Sequence, residues 1–252
     1  MNREKIRILI TNDDGIHAEG IRALENALRE IGDVFVVAPE SEMSGASHSL
    51  TLSRPLRIRQ IDERHWTVDG TPTDCVTFAL NRILTIEQLP HICASGINHG
   101  ANLGDDATYS GTVAGAMEST ILGVPGIAFS LVANRNPDFT EAAKVAGELT
   151  RKAIEEGLPP GTLLNVNVPK GAPKGVRITK QGLKNAKPII SEHTDPRGKF
   201  YYWIGEERSG FHPDEGGSDF EAIDEGFVSV TPMRSDLTNY SAIEILKNWE
   251  IN

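Results

Sequence analysis

Two adjacent carboxylates, Asp13 and Asp14, stand in the stretch "ITNDDGI" directly after an apolar run and are closed by a glycine. Paired carboxylates suit a hard divalent cation, whereas zinc prefers cysteine and histidine. The same "NDDG" is also ordinary turn chemistry, because Asn, Asp and Gly tolerate the dihedrals that turns require. Two further loops carry polar groups. "APESEMSGASHS" is dense in hydroxyls and holds His48, and "SGINHGANLGDDATYSGT" is rich in Gly and Asn and runs into a predicted helix. At that helix start, Ser110, Gly111 and Thr112 offer unpaired backbone N–H groups and a positive dipole end, a ready phosphate site. Ser110 and Thr112 can equally be plain caps, Asn98 and Asn102 can hold left-handed turns, and His48 and His99 can be hydrogen-bonded scaffold. A cation beside a phosphate pocket, with no nucleotide-triphosphate P-loop, points to phosphate-ester hydrolysis.

Several elements must bring these groups together. "IRILI" (6–10) reads as a strand buried on both faces. "AEGIRALENALREIG" spaces Ile21, Leu24, Leu28 and Ile31 as one helical face and stops at Gly32. "DVFVVAPE" then completes a βαβ unit, hence a parallel sheet. "SLTLSRPLRIRQ" and "HWTVDG" read as short antiparallel pieces. "TPTDCVTFALNRIL" reads as a helix opened by Pro72 and Asp74. "HICASG", "PGIAFSLV" and "TLLNVNVP" continue the strands, with helices in "SGTVAGAMESTILG" and "PDFTEAAKVAGELTRKAIEEG". The expected fold is α/β, a Rossmann-like, doubly wound, mostly parallel sheet. Residues 1–170 form the metal- and phosphate-binding core; 171–252 add a β-hairpin or arm and a terminal helix, a β-rich extension that is part of the same catalytic unit and used in oligomerisation. There "GVRITKQ", "KFYYWIG" and "GFVSVTP" read as strands separated by turn-rich stretches such as "HPDEGGSD". The aromatics Phe200, Tyr201, Tyr202 and Trp203 either pack on a neighbouring subunit or cover an edge of their own core. In open parallel sheets ligands sit beyond the carboxyl ends of strands, where strand order reverses. That edge is where the NDDG, serine and Asn-rich loops all emerge.

Composition narrows the partners. Net charge is −10 with no dense Lys/Arg run, which argues against a nucleic-acid polymer. Cys75 and Cys93 form neither a CxxC nor a His-flanked cluster and read as reduced core thiols. The longest apolar run, "ILGVPGIAFSLVA", contains Pro125 and falls short of the roughly 18 residues of a membrane span. The apolar stretch at the amino terminus is too short for a signal peptide. No membrane partner and a cytoplasmic location are expected.

"ILITNDDGI", "VVAPESEMSGASHSLT", "GTPTDCV", "SGINHGANLG" and "YSGTVAGAMES", in this order, closely resemble the SurE family, stationary-phase survival proteins that act as metal-dependent nucleotidases. The resemblance spans essentially the whole chain and includes "KFYYWIG" and "GFVSVTP". It implies one divalent cation per subunit, Mg²⁺, Mn²⁺ or similar, held by Asp13, Asp14, Ser44 and Asn98. It implies phosphate contacts from Asn102, Ser110, Gly111 and Thr112. The implied substrates are nucleoside 5′- and 3′-monophosphates, with short polyphosphate for some members. The implied assembly is a homodimer or homotetramer that exchanges carboxyl-terminal elements and a hairpin, at whose place "KFYYWIG" falls. Asp13 is the choice for orienting or deprotonating the attacking water. The rival is a receiver-like, Mg²⁺-dependent phosphate-binding switch. That rival needs an aspartate at the tip of the third strand, which here reads "ASGIN", and a covalent aspartyl phosphatase needs a DxD spacing. A purely structural oligomer protein is the third option.

Overall fold

Ile8, Leu9 and Ile10 are fully buried because helices cover both faces of the strand that holds them, β1 (Arg7–Thr11). Ile8 and Ile10 pack with Ile21, Leu24 and Leu28 of α1 (Glu19–Arg29), while Leu9 points the other way, towards Cys75, Val76 and Cys93. Burying a side chain such as Leu24 contributes about 1.5–3 kcal/mol, and one stripe of α1 supplies three such residues. In this computed structural model residues 5–132, 136–211 and 216–249 are described, with all their side chains except those of 185–188 and 206–211.

After β2 (Asp33–Pro39) come β3 (Ile58–Gln60) and β4 (His65–Val68), which pair antiparallel as expected. β4 also pairs parallel with β2 and so joins the main sheet. α2 (Pro72–Phe78) starts at a complete capping box: the Thr71 hydroxyl accepts from the Asp74 N–H, and the Asp74 carboxylate accepts from the Thr71 N–H. One wide π turn, Ala79–Ile83, prolongs it. The remaining core elements are β5 (Ile92–His99), α3 (Gly111–Ile121), β6 (Gly126–Leu131), α4 (Thr140–Glu156) and β7 (Thr162–Val168). β8 (Val176–Ile178), β9 (Lys184–Thr194), β10 (Phe200–Phe211), α5 (Asp219–Asp224), β11 (Val228–Arg234) and α6 (Tyr240–Leu246) follow.

The main sheet runs β3-β4-β2-β1-β5-β6-β7-β11-β8. β4, β2, β1, β5, β6 and β7 are parallel; β3, β11 and β8 run the other way. From β1 the chain winds outwards through β2 and β4, then returns to place β5 on the opposite side of β1. The switch point therefore lies between β1 and β5, whose carboxyl ends carry Asp13–Asp14 and Asn98–His99. α1 and α4 pack against one face, α2 and α3 against the other. β11 and β8 extend this sheet beyond residue 170, so the carboxyl-terminal third helps to build the core.

Residues 184–194 lie in a stretch expected to be turns, yet they form β9 and pair with β10 in a separate two-stranded antiparallel sheet. Pro188 and the polar residues of "KNAKPIISEHT" hide the strand pattern, and proline is tolerated because a two-stranded ribbon consists of edges. Phe200, Tyr201, Tyr202, Trp203 and Ile204 of β10 are exposed and cover no edge of their own core. α6 also lies exposed, with Tyr240, Ile245 and Leu246 open to solvent, as are Leu237 before it and Trp249 after it. "HPDEGGSD" lies partly outside the described residues; its Ser218 caps α5. Cys75 and Cys93 are free and fully buried, and burial pushes the Cys93 thiol up to about 12. Among the described residues no helix is long and apolar enough to cross a membrane.

Candidate active site

Asp13 lies two residues beyond the end of β1 and is 4% exposed. Its backbone carbonyl accepts from Met43 N–H at 2.7 Å, which ties the serine loop to the end of β1. Gly15 closes the turn at φ +94°, and its carbonyl accepts from Asn12 Nδ2 at 2.9 Å. The Asp13 carboxylate meets the start of α3: the Thr112 hydroxyl donates to Oδ1, and the Thr112 backbone N–H donates as well. Burial raises the Asp13 pKa, the Thr112 bonds oppose that rise, and the Asp14 charge adds to it. The Asp14 pKa is also raised, by burial first; the His99 N–H, 3.2 Å from Oδ2, opposes the rise and the Glu42 charge reinforces it. Both carboxyls therefore sit where neutralisation is favoured.

Ser44 is exposed on the loop after β2, and its hydroxyl donates to Glu42 Oε1 at 2.7 Å. Asn98, at the end of β5, commits Nδ2 to Gly100 O at 2.9 Å and leaves Oδ1 without a hydrogen bond among the described residues. Asn102 is gripped on three sides. Its N–H donates to Asn167 Oδ1 at 2.8 Å, its carbonyl accepts from Asn165 Nδ2 at 2.8 Å, and its Nδ2 donates to Ser130 Oγ at 2.8 Å. Two residues on, Gly104 N–H donates to Asp219 Oδ2 at 2.8 Å and Gly104 O accepts from Gln181 Nε2 at 2.9 Å. The loop between β5 and α3 is thus held by β7 and by the carboxyl-terminal third.

Ser110 does cap α3, accepting from Val113 N–H at 3.1 Å. It also lines a cavity of about 400 Å³ with Asp13, Asp14, Ser44, Asn98 and Asn102. Six of the eight residues singled out in the sequence therefore share one cleft. Gly111 and Thr112 stand behind it, against Asp13: a Cβ at Gly111 would lie 2.8 Å from Asp13 Cβ. The anion seated on this helix tip is thus the chain's own Asp13 carboxylate. His48 is outside the lining; its Nε2 lies 2.8 Å from Glu118 Oε2, a scaffold pair that, with the Thr77 hydroxyl, lowers the Glu118 pKa.

Sequence reasoning missed Glu42, Ala101, Asp106 and Tyr109 as lining residues, and gave His99 only a scaffold reading. A usable signal was present for the supports: Asn165 and Asn167 interrupt an apolar strand at period two. Among the described residues four carboxylates line the cleft, Asp13, Asp14, Glu42 and Asp106, and no Lys or Arg does. Lys184, from the base of β9, pairs with Asp106 at 2.7 Å. Among the described residues no three His, Cys, Asp or Glu side chains cluster as a metal site. A cation in the cleft would therefore rest on two carboxylates supplemented by hydroxyl and amide oxygens. A larger groove of about 500 Å³ lies between α1 and α4, but it has neither paired carboxylates nor a strand end and is unrelated to this chemistry.

Fold and cleft together define a doubly wound α/β protein with an acidic cleft at its topological switch point. A family model described as "Survival protein SurE" matches residues 8–188. The chain is 47% identical over 248 residues to a protein of Pelobacter propionicus named 5′-nucleotidase SurE, covering 97% of this chain and 99% of that one. It is 48% identical over 250 residues to the protein of that name from Geotalea daltonii, covering 98% and 100%. A crystal structure of SurE protein from Aquifex aeolicus superposes with a TM-score of 0.85 at 47% identity, covering 96% of this chain and 98% of that one. The chain belongs to the SurE family.

Proposed function

We propose that this chain is a divalent-metal-dependent phosphomonoesterase, a 5′-nucleotidase of the cytoplasm. It releases phosphate from nucleoside 5′-monophosphates, and also from 3′-monophosphates and short polyphosphate. The observation that carries the reading is the charge of the cleft. A phosphate monoester is a dianion. A cavity lined by Asp13, Asp14 and Glu42, with Asp106 already paired to Lys184 and no Lys or Arg among the described lining residues, repels it unless a cation is bound. The donor set fits a hard ion: Asp13 and Asp14 as anionic oxygens, Asn98 Oδ1 as a free amide oxygen, and the Ser44 hydroxyl as a neutral oxygen. When bound, a divalent cation supplies positive charge to the phosphoryl group and acidifies water.

The chain's own residues do the rest. The Asp13 carboxylate is held in one orientation by Thr112, so its second oxygen is fixed for aligning the attacking water and taking its proton. The pKa of Asp13, raised by burial, makes it a stronger base than an exposed aspartate. Ser110 and Asn102 flank the phosphate position, each already fixed by a bond to the scaffold. The grip of Asn165, Asn167 and Asp219 keeps this loop from relaxing between turnovers.

The relatives named 5′-nucleotidase SurE match this chain over nearly its full length, which supports the nucleotide substrate. The exposed aromatics of β10 and the apolar surface of α6 support a homodimer or homotetramer in which both are covered. The test is phosphate release from AMP, GMP and p-nitrophenyl phosphate, with and without EDTA, for wild type and Asp13→Asn. Release that EDTA leaves unchanged would overturn the metal assignment.

A further inference from the structure

Resting on the nucleotidase reading above, we propose that Tyr109 is the platform on which the nucleobase of the substrate stacks, and so the residue that separates nucleotides from simple phosphate esters. Among the described lining residues two carry rings, Tyr109 and His99, and the rest are carboxylates, small polar groups or no larger than alanine. His99 stands beside the metal-side carboxylate Asp14, to which its backbone N–H donates, whereas the larger ring of Tyr109 adjoins Ser110 at the phosphate end; neighbouring Cα atoms are about 3.8 Å apart.

The ring has no task in the fold. Tyr109 is 67% exposed, belongs to no core cluster, and its hydroxyl makes no hydrogen bond among the described residues. Its backbone, in contrast, is fixed from both sides. Tyr109 N–H donates to Asp106 O at 3.0 Å, and Tyr109 O accepts from Ser47 N–H at 3.1 Å. The Ser47 hydroxyl donates to Thr108 O at 2.7 Å, and Ser47 itself holds the left-handed conformation, φ +54°, unusual for a residue with a side chain. The serine loop therefore anchors the residue that presents an idle aromatic ring at the mouth of the cleft. A platform fixed before the ligand arrives loses little conformational freedom on binding. Because every base has a π-face, such a contact accepts all of them and discriminates only modestly.

The experiment compares kcat/KM for AMP with kcat/KM for ribose 5-phosphate on the full chain at saturating Mg²⁺. The two substrates share phosphate and ribose, so their ratio reads the base alone. Tyr109→Ala is expected to lower the ratio by roughly 5- to 150-fold, the range spanned by base–aromatic stacking, and Tyr109→Phe, which keeps the ring, to restore it. Inhibition of AMP hydrolysis by adenosine should weaken in Tyr109→Ala in step, while inhibition by inorganic phosphate does not follow. An unchanged ratio, or an equal loss on both substrates, overturns the proposal. A change of oligomer size in Tyr109→Ala at matched concentration also overturns it, because the ring would then be a subunit contact. If the wild-type chain hydrolyses neither substrate, the nucleotidase reading fails and this proposal falls with it. If AMP is hydrolysed and the ratio stays put, only Tyr109 loses its role.

Discussion

Gly111→Ala adds one methyl group at the point where α3 meets Asp13. The new Cβ would lie 2.8 Å from Asp13 Cβ and 3.0 Å from Asp13 Oδ2. A flexible side-chain tip could swing aside, but here the nearest atom is close to the backbone and the carboxylate is bonded to Thr112. The start of α3 or the end of β1 must move instead. Overpacking of this kind costs about 1–3 kcal/mol, against a helix-propensity gain of at most about 1 kcal/mol from replacing Gly with Ala. The net is a loss of up to about 3 kcal/mol; a mid-range loss of about 1–2 kcal/mol lowers Tm by about 2–8 °C in a chain of this length. The control is the same substitution at Gly147 in α4, where the nearest neighbour of the added Cβ is Ala27 O at 4.0 Å. Gly147→Ala is expected to stabilise by about 0.5–1 kcal/mol and leave turnover alone. Misplacing Asp13 by a fraction of an ångström should lower AMP turnover about tenfold or more in Gly111→Ala. Thermal melts and phosphate release measured side by side decide it. A Gly111→Ala chain as stable and active as Gly147→Ala would refute the contact between the helix tip and the carboxylate.

In EDTA at pH 7, Asp13→Asn should melt higher than wild type while losing metal-dependent turnover, because it removes a charge that burial disfavours. The folded pKa of Asp13 is raised, so its ionised form destabilises the metal-free fold; calorimetry should show the gap closing as pH falls through that raised value. Glu118 runs the opposite way: its folded pKa is lowered from 4.5, so its pairing with His48 adds stability above that value and loses it as pH falls through the folded pKa. Urea midpoints of Glu118→Gln should therefore trail wild type at pH 7 and converge with it in acid. Asn167→Ala leaves the buried Asn102 N–H without its acceptor, a loss of about 1–3 kcal/mol that urea melts should show alongside slower AMP turnover. Deleting residues 199–205 should shift the oligomer to a smaller size at fixed concentration; an unchanged size excludes β10 as the contact.

The strand–helix alternation up to residue 170 was legible because each element carries a periodic apolar pattern, as in Ile21, Leu24 and Leu28, which needs no knowledge of its neighbours. The paired aspartates, the Asn-rich loop and the capped helix start were legible for a related reason: turn and cap chemistry is local. β9 was not, since Pro188 and its polar neighbours make a strand only when β10 lies alongside. Nor could the sequence show that α3 spends its tip on Asp13, that Asn167 and Asp219 reach back across the chain to grip the loop before it, or that Glu42 and Asp106 add their charge to the same cleft. Those contacts join residues from 65 to 115 positions apart, and in the case of Asp13 and Thr112 99 apart. Local propensity carries no information over such separations; the order of strands about the switch point supplies it.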